Sequence, residues 1–124
     1  NIAPYGECLK CADDKLIVLA CGNDKQFENL CRELGNPDLA NHPDYYNNTL
    51  RVKNREKLAE VLKPLFSHNT ASNWLSVFET QGIPAGLIRN LADVFQLGTA
   101  QSLLLKDQNG LRVKTAVFKI QQVR

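Results

Sequence analysis

The sequence predicts an α+β fold, and three observations predict it. Apolar residues run continuously or alternate near both ends of the chain, as strands do. Between those ends they recur at helical spacing in several stretches. The resulting order is hairpin, helices, hairpin, unlike the strict strand–helix alternation of a parallel sheet. At 124 residues the chain fits one domain, residues 1–124. No internal repeat, linker or low-complexity stretch divides it.

Tyr5 to Cys11 alternates loosely and reads as a strand, and Ala12-Asp13-Asp14 reads as a turn. Lys15 to Cys21 (KLIVLAC) is a continuous apolar run, which predicts a strand covered on both faces and paired with the first. Gly22-Asn23-Asp24 breaks that strand and opens a helix. Asn23 is its cap, and Gln26 resembles the second half of a capping box. Phe27, Leu30, Cys31 and Leu34 make one apolar stripe, which Gly35 and Pro37 end. Residues 36–49 are polar and turn-rich, with one short helical turn at Pro37–Ala40.

A longer helix is expected from Leu50 to Phe66, with Leu58, Val61, Leu62, Leu65 and Phe66 inward. Arg51, Lys53, Arg55, Lys57 and Lys63 are assigned mostly to its other faces. Pro64 should kink or shorten its last turn. Thr70 caps a third helix, Ala71 to Gln81, with Trp74, Leu75 and Phe78 inward and Gly82 at its end. Ile83 to Ile88 reads as a loop entering a short strand. Asn90 caps a fourth helix, Leu91 to Gln96, ended by Gly98. The chain closes with Leu103-Leu104-Leu105, a turn around Asn109-Gly110 and an alternating run from Leu111 to Ile120.

Composition narrows the function classes. A net charge of +2 is too mild for a dedicated nucleic-acid binder. No apolar run approaches the ~18 residues of a membrane span. Apolar content of 44% and charged content of 23% argue against wholesale disorder. Charge is unevenly placed: residues 1–50 hold four bases against eight acids, and residues 51–124 hold eleven against five. We read this as two halves that fold together and attract, because the bases are spread rather than clustered. The chain contains no Met and opens on Asn1-Ile2-Ala3-Pro4, which carries no element signal. The expectation is a chain cut from something longer, or processed.

Cys8-Leu9-Lys10-Cys11 has zinc-knuckle spacing, but two thiols three apart on a strand point to opposite faces. Cys31 falls on an apolar helix face and Cys21 ends an apolar strand. His42 and His68 lie outside ligand-like spacing, so core thiols and no metal are expected. With no basic n-region and apolar stretch of a secretion signal in view, the expectation is a reducing, cytoplasmic setting. Nucleophile elbows, phosphate-binding glycine loops and Cys–His or Ser–His arrangements are absent from the sequence. Asp13-Asp14 pairs two carboxylates, but on a hairpin tip, where turn chemistry accounts for them. The junction Gly22-Asn23-Asp24 is of more interest. It joins a strand end to a helix N-terminus, where free N–H groups and the dipole favour an anion. Capping alone explains the same residue types.

Taken in order, several segments resemble the class III CoA-transferases, the group of formyl-CoA transferase, carnitine CoA-transferase and α-methylacyl-CoA racemase. These are Pro4-Tyr5-Gly6, Asp14-Lys15-Leu16-Ile17-Val18, Gly22-Asn23-Asp24-Lys25-Gln26-Phe27 and Leu30-Cys31. Leu34 to Ala40, Asn48, Arg51, Asn54-Arg55, Trp74 and Gly82-Ile83-Pro84-Ala85-Gly86 follow, so the resemblance covers about residues 2–95. It implies the smaller domain of such an enzyme. The partner would be a large Rossmann-like CoA-binding domain, on the same or a separate chain. In the family an Asp of that large domain attacks an acyl-CoA thioester, forming a mixed anhydride and then a CoA thioester on the Asp. The resemblance therefore implies no catalytic residue here and no cofactor bound by this chain alone, CoA entering as substrate.

By the same resemblance, Gly22, Asn23 and Asp24, with Pro4 and Tyr5 in the segment ahead of the first strand, border the substrate cleft. A racemase-branch Glu matches Asp24, whereas Gly-Asn-Asp-x-Gln-Phe looks like the transferase branch. Departures lie at Leu87, at Gly98-Thr99-Ala100-Gln101 and in a short basic last hairpin (Lys106, Arg112, Lys114, Lys119, Arg124). Two alternatives stand beside this reading. One is a module that binds a partner protein or pairs with itself as a homodimer. The other is weak phosphate or nucleic-acid binding by the basic hairpin.

Overall fold

A computed structural model of the chain describes residues 1–114. It is α+β, with strands near both ends and helices between. Two compact units divide it, the first Asn1–Ile88 and the second beginning at Arg89.

In the first unit, β1 (Tyr5–Lys10), β2 (Leu16–Ala20) and β3 (Ala85–Ile88) form an antiparallel sheet in the order β1-β2-β3. The run Lys15–Cys21 thus becomes the central strand. Its two faces differ: Ile17 and Leu19 are fully buried, whereas Leu16 is exposed and Val18 and Ala20 are half-buried. The expectation of cover on both faces is corrected for this unit. Helices pack on one side of the sheet only, so the other keeps solvent contact. The β1–β2 register shifts between Tyr5 and Cys8, and Gly6 there takes φ +84°, the left-handed backbone a bulge requires.

Helix α1 (Asp24–Glu33) buries Phe27, Leu30 and Cys31, the predicted stripe. A 3₁₀ turn follows at Pro37–Asn41. The expected helix Leu50–Phe66 is in fact two, α2 (Asn48–Lys53) and α3 (Arg55–Phe66). Asn54 interrupts it because its amide donates to the carbonyls of Asp44 and Leu50, drawing the backbone out of helical geometry. Pro64 does not stop α3, which runs on to Phe66. Helix α4 (Ala71–Thr80) is capped by Thr70, as expected, and turns Trp74 and Phe78 inward. There Phe66, Trp74 and Phe78 pack with ring centroids 5.5–5.8 Å apart. The Trp74 Nε1–H donates to the Phe66 carbonyl at 2.9 Å, so the indole is buried with its polar atom paired.

The second unit contains α5 (Leu91–Gln96), one further turn α6 (Gly98–Gln101) and a hairpin of β4 (Leu104–Asp107) and β5 (Gly110–Val113). Asn90 and Asp93 form a reciprocal capping box on α5. The hairpin turn sits one residue earlier than expected, on Gln108-Asn109. The Asp107 carboxylate accepts the Asn109 N–H at 2.8 Å, and Gly110, at φ +115°, already pairs with Asp107. The predicted run to Ile120 lies outside the described residues beyond Lys114.

Candidate functional site

The strand-to-helix junction is built as a cap. The Asn23 side chain accepts the Gln26 N–H at 2.9 Å. The Gln26 side chain does not return to Asn23 but accepts the Gly22 N–H at 2.7 Å, one residue earlier than a standard capping box. Two of the junction's donors are therefore already occupied by side chains. What the junction presents outward is the Asp24 carboxylate, 63% exposed. Beside it lies a recess of about 220 Å³ lined by Asp24, Lys25, Phe27, Glu28, Ala40, Asn41 and Tyr46.

Behind Asp24 stands Arg51, only 1% exposed. Its Nη2 donates to Asp24 Oδ1 at 2.6 Å, its Nη1 to the Tyr45 carbonyl at 3.0 Å and its Nε to the Ala3 carbonyl at 2.7 Å. The guanidinium also lies 4.5 Å from the Phe27 ring centroid. Placing Arg51 on an outer helix face is therefore corrected. A charge of this kind is buried only when paired and hydrogen-bonded, and here one carboxylate, two carbonyls and a ring surround it.

The other predicted segment meets the same arginine. Asn48 receives the Ala3 N–H at 3.1 Å and donates to the Asn1 carbonyl at 3.0 Å. Arg55 donates to the Tyr5 carbonyl and, at 2.5 Å, to Glu7 Oε1 across the bulge. Pro4 is buried, and Tyr5 is about half exposed at 51%. The pairs Arg51–Asp24 and Arg55–Glu7 join bases of the second half to acids of the first, so the charge asymmetry is realised as attraction. Sequence reasoning missed the role of Arg51. Its spacing to the buried Leu58 and Leu62 of α3, seven and eleven residues on, is the one trace in the sequence that it could turn inward.

Asp13 has structural work. Its Oδ1 accepts the Ala71 N–H at 3.1 Å at the start of α4. Desolvation opposes its ionisation, but backbone hydrogen bonds and nearby Lys15 outweigh it and hold the carboxyl below the usual range. Of the cysteines, Cys8 is exposed and Cys11, Cys21 and Cys31 are buried and free. Burial pushes the Cys21 and Cys31 thiols up to about 12. Among the described residues, no cluster of three His, Cys, Asp or Glu could hold a metal. No helix described is long and apolar enough to cross a membrane.

A three-stranded antiparallel sheet backed by helices, with a carboxylate-bearing strand–helix junction, defines a small α+β unit. Comparison places it further. Residues 1–121 match the model of CoA-transferase family III, and the chain belongs to that family. It is 39% identical over 95 residues to human succinyl-CoA:glutarate CoA-transferase, covering 77% of this chain and 21% of that protein. Against acetyl-CoA:oxalate CoA-transferase of Acetobacter aceti it is 35% identical over 97 residues, or 77% and 25%. A CAIB/BAIF family protein from Brucella suis superposes with a TM-score of 0.85 at 31% identity, over 96% of this chain and 32% of that one. The chain thus spans about a fifth to a third of the length of these relatives.

Proposed function

We propose that this chain is the small domain of a class III CoA-transferase. It shapes the acyl or acceptor side of an active site that a large Rossmann-like, CoA-binding domain completes. The attacking carboxylate lies on that large domain, so the chain alone transfers no CoA and binds no cofactor. Gly22, Asn23, Asp24, Pro4 and Tyr5 border the cleft, and the assembly works in the cytoplasm. The observation that carries this reading is that both segments singled out by the family resemblance converge on one buried side chain, Arg51. That convergence has no purpose in a simple helix cap, which Asn23 already provides. The exposed carboxylate of Asp24 is anchored but left open to the recess, as a group that meets a ligand must be.

The test supplies a class III large domain in trans. Calorimetry is expected to show association, and the mixture is expected to recover transfer of CoA from an acyl-CoA to a carboxylic acid. Absence of both heat and transfer, or transfer by the 124-residue chain alone, defeats the reading.

A second reading is favoured by one feature of the sheet. On the face away from the helices, Leu16 and Ile88 are paired neighbours and are 39% and 41% exposed. An apolar patch of this kind suits self-association, so the chain by itself forms a homodimer. A strict monomer by light scattering at high concentration removes it.

A further inference from the structure

Three polar side chains on one side of the α2–α3 run hold the segment ahead of β1, and they hold it by its main chain. Asn48 takes the Asn1 carbonyl and the Ala3 N–H, Arg51 the Ala3 carbonyl and Arg55 the Tyr5 carbonyl. Asn48 and Arg51 stand on α2 and Arg55 opens α3, and across the break at Asn54 all three turn toward the same segment. The residues they grip are 1, 3 and 5, every second one along the segment, through a bend at Ala3 and Pro4. These contacts make a ladder between the α2–α3 run and the segment ahead of β1. Because the ladder reads backbone atoms, the path of the segment does not depend on the side chain of Ile2. Arg55 has a second partner in Glu7 of β1 itself, whereas Arg51 reaches beyond this part of the chain. Its Nη1 holds the Tyr45 carbonyl and its Nη2 holds Asp24, which belongs to α1 and lies on the other side of the sheet hairpin in sequence.

We infer that Arg51 is a positioning residue that locks Asp24 and the segment Asn1–Tyr5 into a single unit, so that neither moves without the other. Its planar fork fixes the angle between the two partners, which a point charge does not. The guanidinium is buried, so losing Asp24 leaves it without a counter-ion and losing the Ala3 carbonyl leaves its Nε–H without an acceptor, and either loss loosens its hold on the other partner. As a consequence, a ligand group that meets Asp24 in the recess adjusts the segment ahead of β1 as well, and the reverse holds. This rests on the cleft reading above only for its functional consequence; the coupling itself is a property of the chain.

Amide exchange on the 124-residue chain reads the coupling directly. Arg51→Lys keeps the charge and removes the fork, and Leu62→Val lowers core stability without touching the ladder. Exchange at the Ala3 amide is expected to rise roughly tenfold more in Arg51→Lys than in Leu62→Val. Asp24→Ala is expected to move the Ala3 amide resonance, and to leave it in place when Arg51 is already Lys. Equal exchange in the two variants, or an Asp24 effect that survives Arg51→Lys, overturns the inference. Should Arg51→Lys fail to fold, Asp24→Ala, which removes the carboxylate on Arg51 at an exposed position, replaces it in the exchange comparison with the same expected and overturning results. In the assembly with a large domain, Arg51→Lys and Asp24→Ala are expected to lower kcat to the same extent and, combined, no further. Additive losses overturn the positioning role. No loss from Asp24→Ala alone defeats the cleft reading, and the exchange result still decides the coupling.

Discussion

At the scale of single residues, burial separates groups that share a chemistry. Four thiols are free, but only Cys8 is exposed. A thiol reagent at neutral pH is expected to modify one cysteine of the folded chain and four after unfolding, counted by mass spectrometry. More than one rapid modification of the folded chain contradicts that. The same burial has a pH consequence. Cys21 and Cys31 titrate near 12 in the fold, because burial disfavours the thiolate, against about 8.5 in an unfolded chain. Above that lower value the unfolded state holds fewer protons than the native one, so stability falls as pH rises from about 9 toward 12. Denaturant unfolding at pH 7 and pH 10 is expected to show the loss, and Cys21→Ala is expected to reduce its slope. Trp74 illustrates the polar side of burial. Trp74→Phe leaves the Phe66 carbonyl with only the longer Asn69 N–H contact at 3.4 Å and shrinks the ring stack, at a cost of about 1–3 kcal/mol in chemical denaturation.

At the scale of elements, caps decide more than propensity. Asp13, on the β1–β2 turn, reaches across to the first N–H of α4 and so ties the hairpin to a helix 58 residues away. Asp13→Ala is expected to lower the melting temperature at neutral pH, as the loss of a capping acceptor does. Its carboxyl is held below the usual range, so that contribution is complete above the unfolded value near 3.9. It is lost as pH falls through the lower native value. The wild type is therefore expected to lose stability faster than Asp13→Ala below pH 4, seen as converging melting temperatures. The elements themselves were legible in the sequence where periodicity and caps agreed. The stripe Phe27, Leu30, Cys31 and the caps Asn23, Thr70 and Asn90 announce α1, α4 and α5. The break at Asn54 was not legible, because it comes from hydrogen bonds to Asp44 and Leu50, the first in a turn-rich stretch with no pattern of its own. Arg51 was hidden for a related reason. A charged residue at helical spacing reads as solvent-facing, and only the folded chain brings a carboxylate, two carbonyls and a ring around it.

At the scale of the whole molecule, one apolar face of the sheet separates the two readings of its function. The helix-backed face of the sheet is closed by Leu9, Ile17, Leu19 and the helices. The opposite face carries Leu16, Val18 and Ile88 and is the one left with apolar exposure. Burying that patch against another chain gains roughly 25 cal/mol for each Å² of apolar area removed from water. A lysine at its centre leaves the sheet intact, because position 16 is already exposed, while placing a charge where a partner's apolar atoms would lie. Leu16→Lys is therefore expected to fold with unchanged exchange at Ala3 and to abolish self-association in sedimentation. If the same face also receives the large domain, the substitution weakens that association at least tenfold, and adding the large domain to the wild type dissolves the homodimer. Binding of the large domain that Leu16→Lys leaves untouched assigns the patch to self-association alone. The domain that completes the active site would then dock elsewhere, on the side where Asp24 and the segment ahead of β1 meet through Arg51.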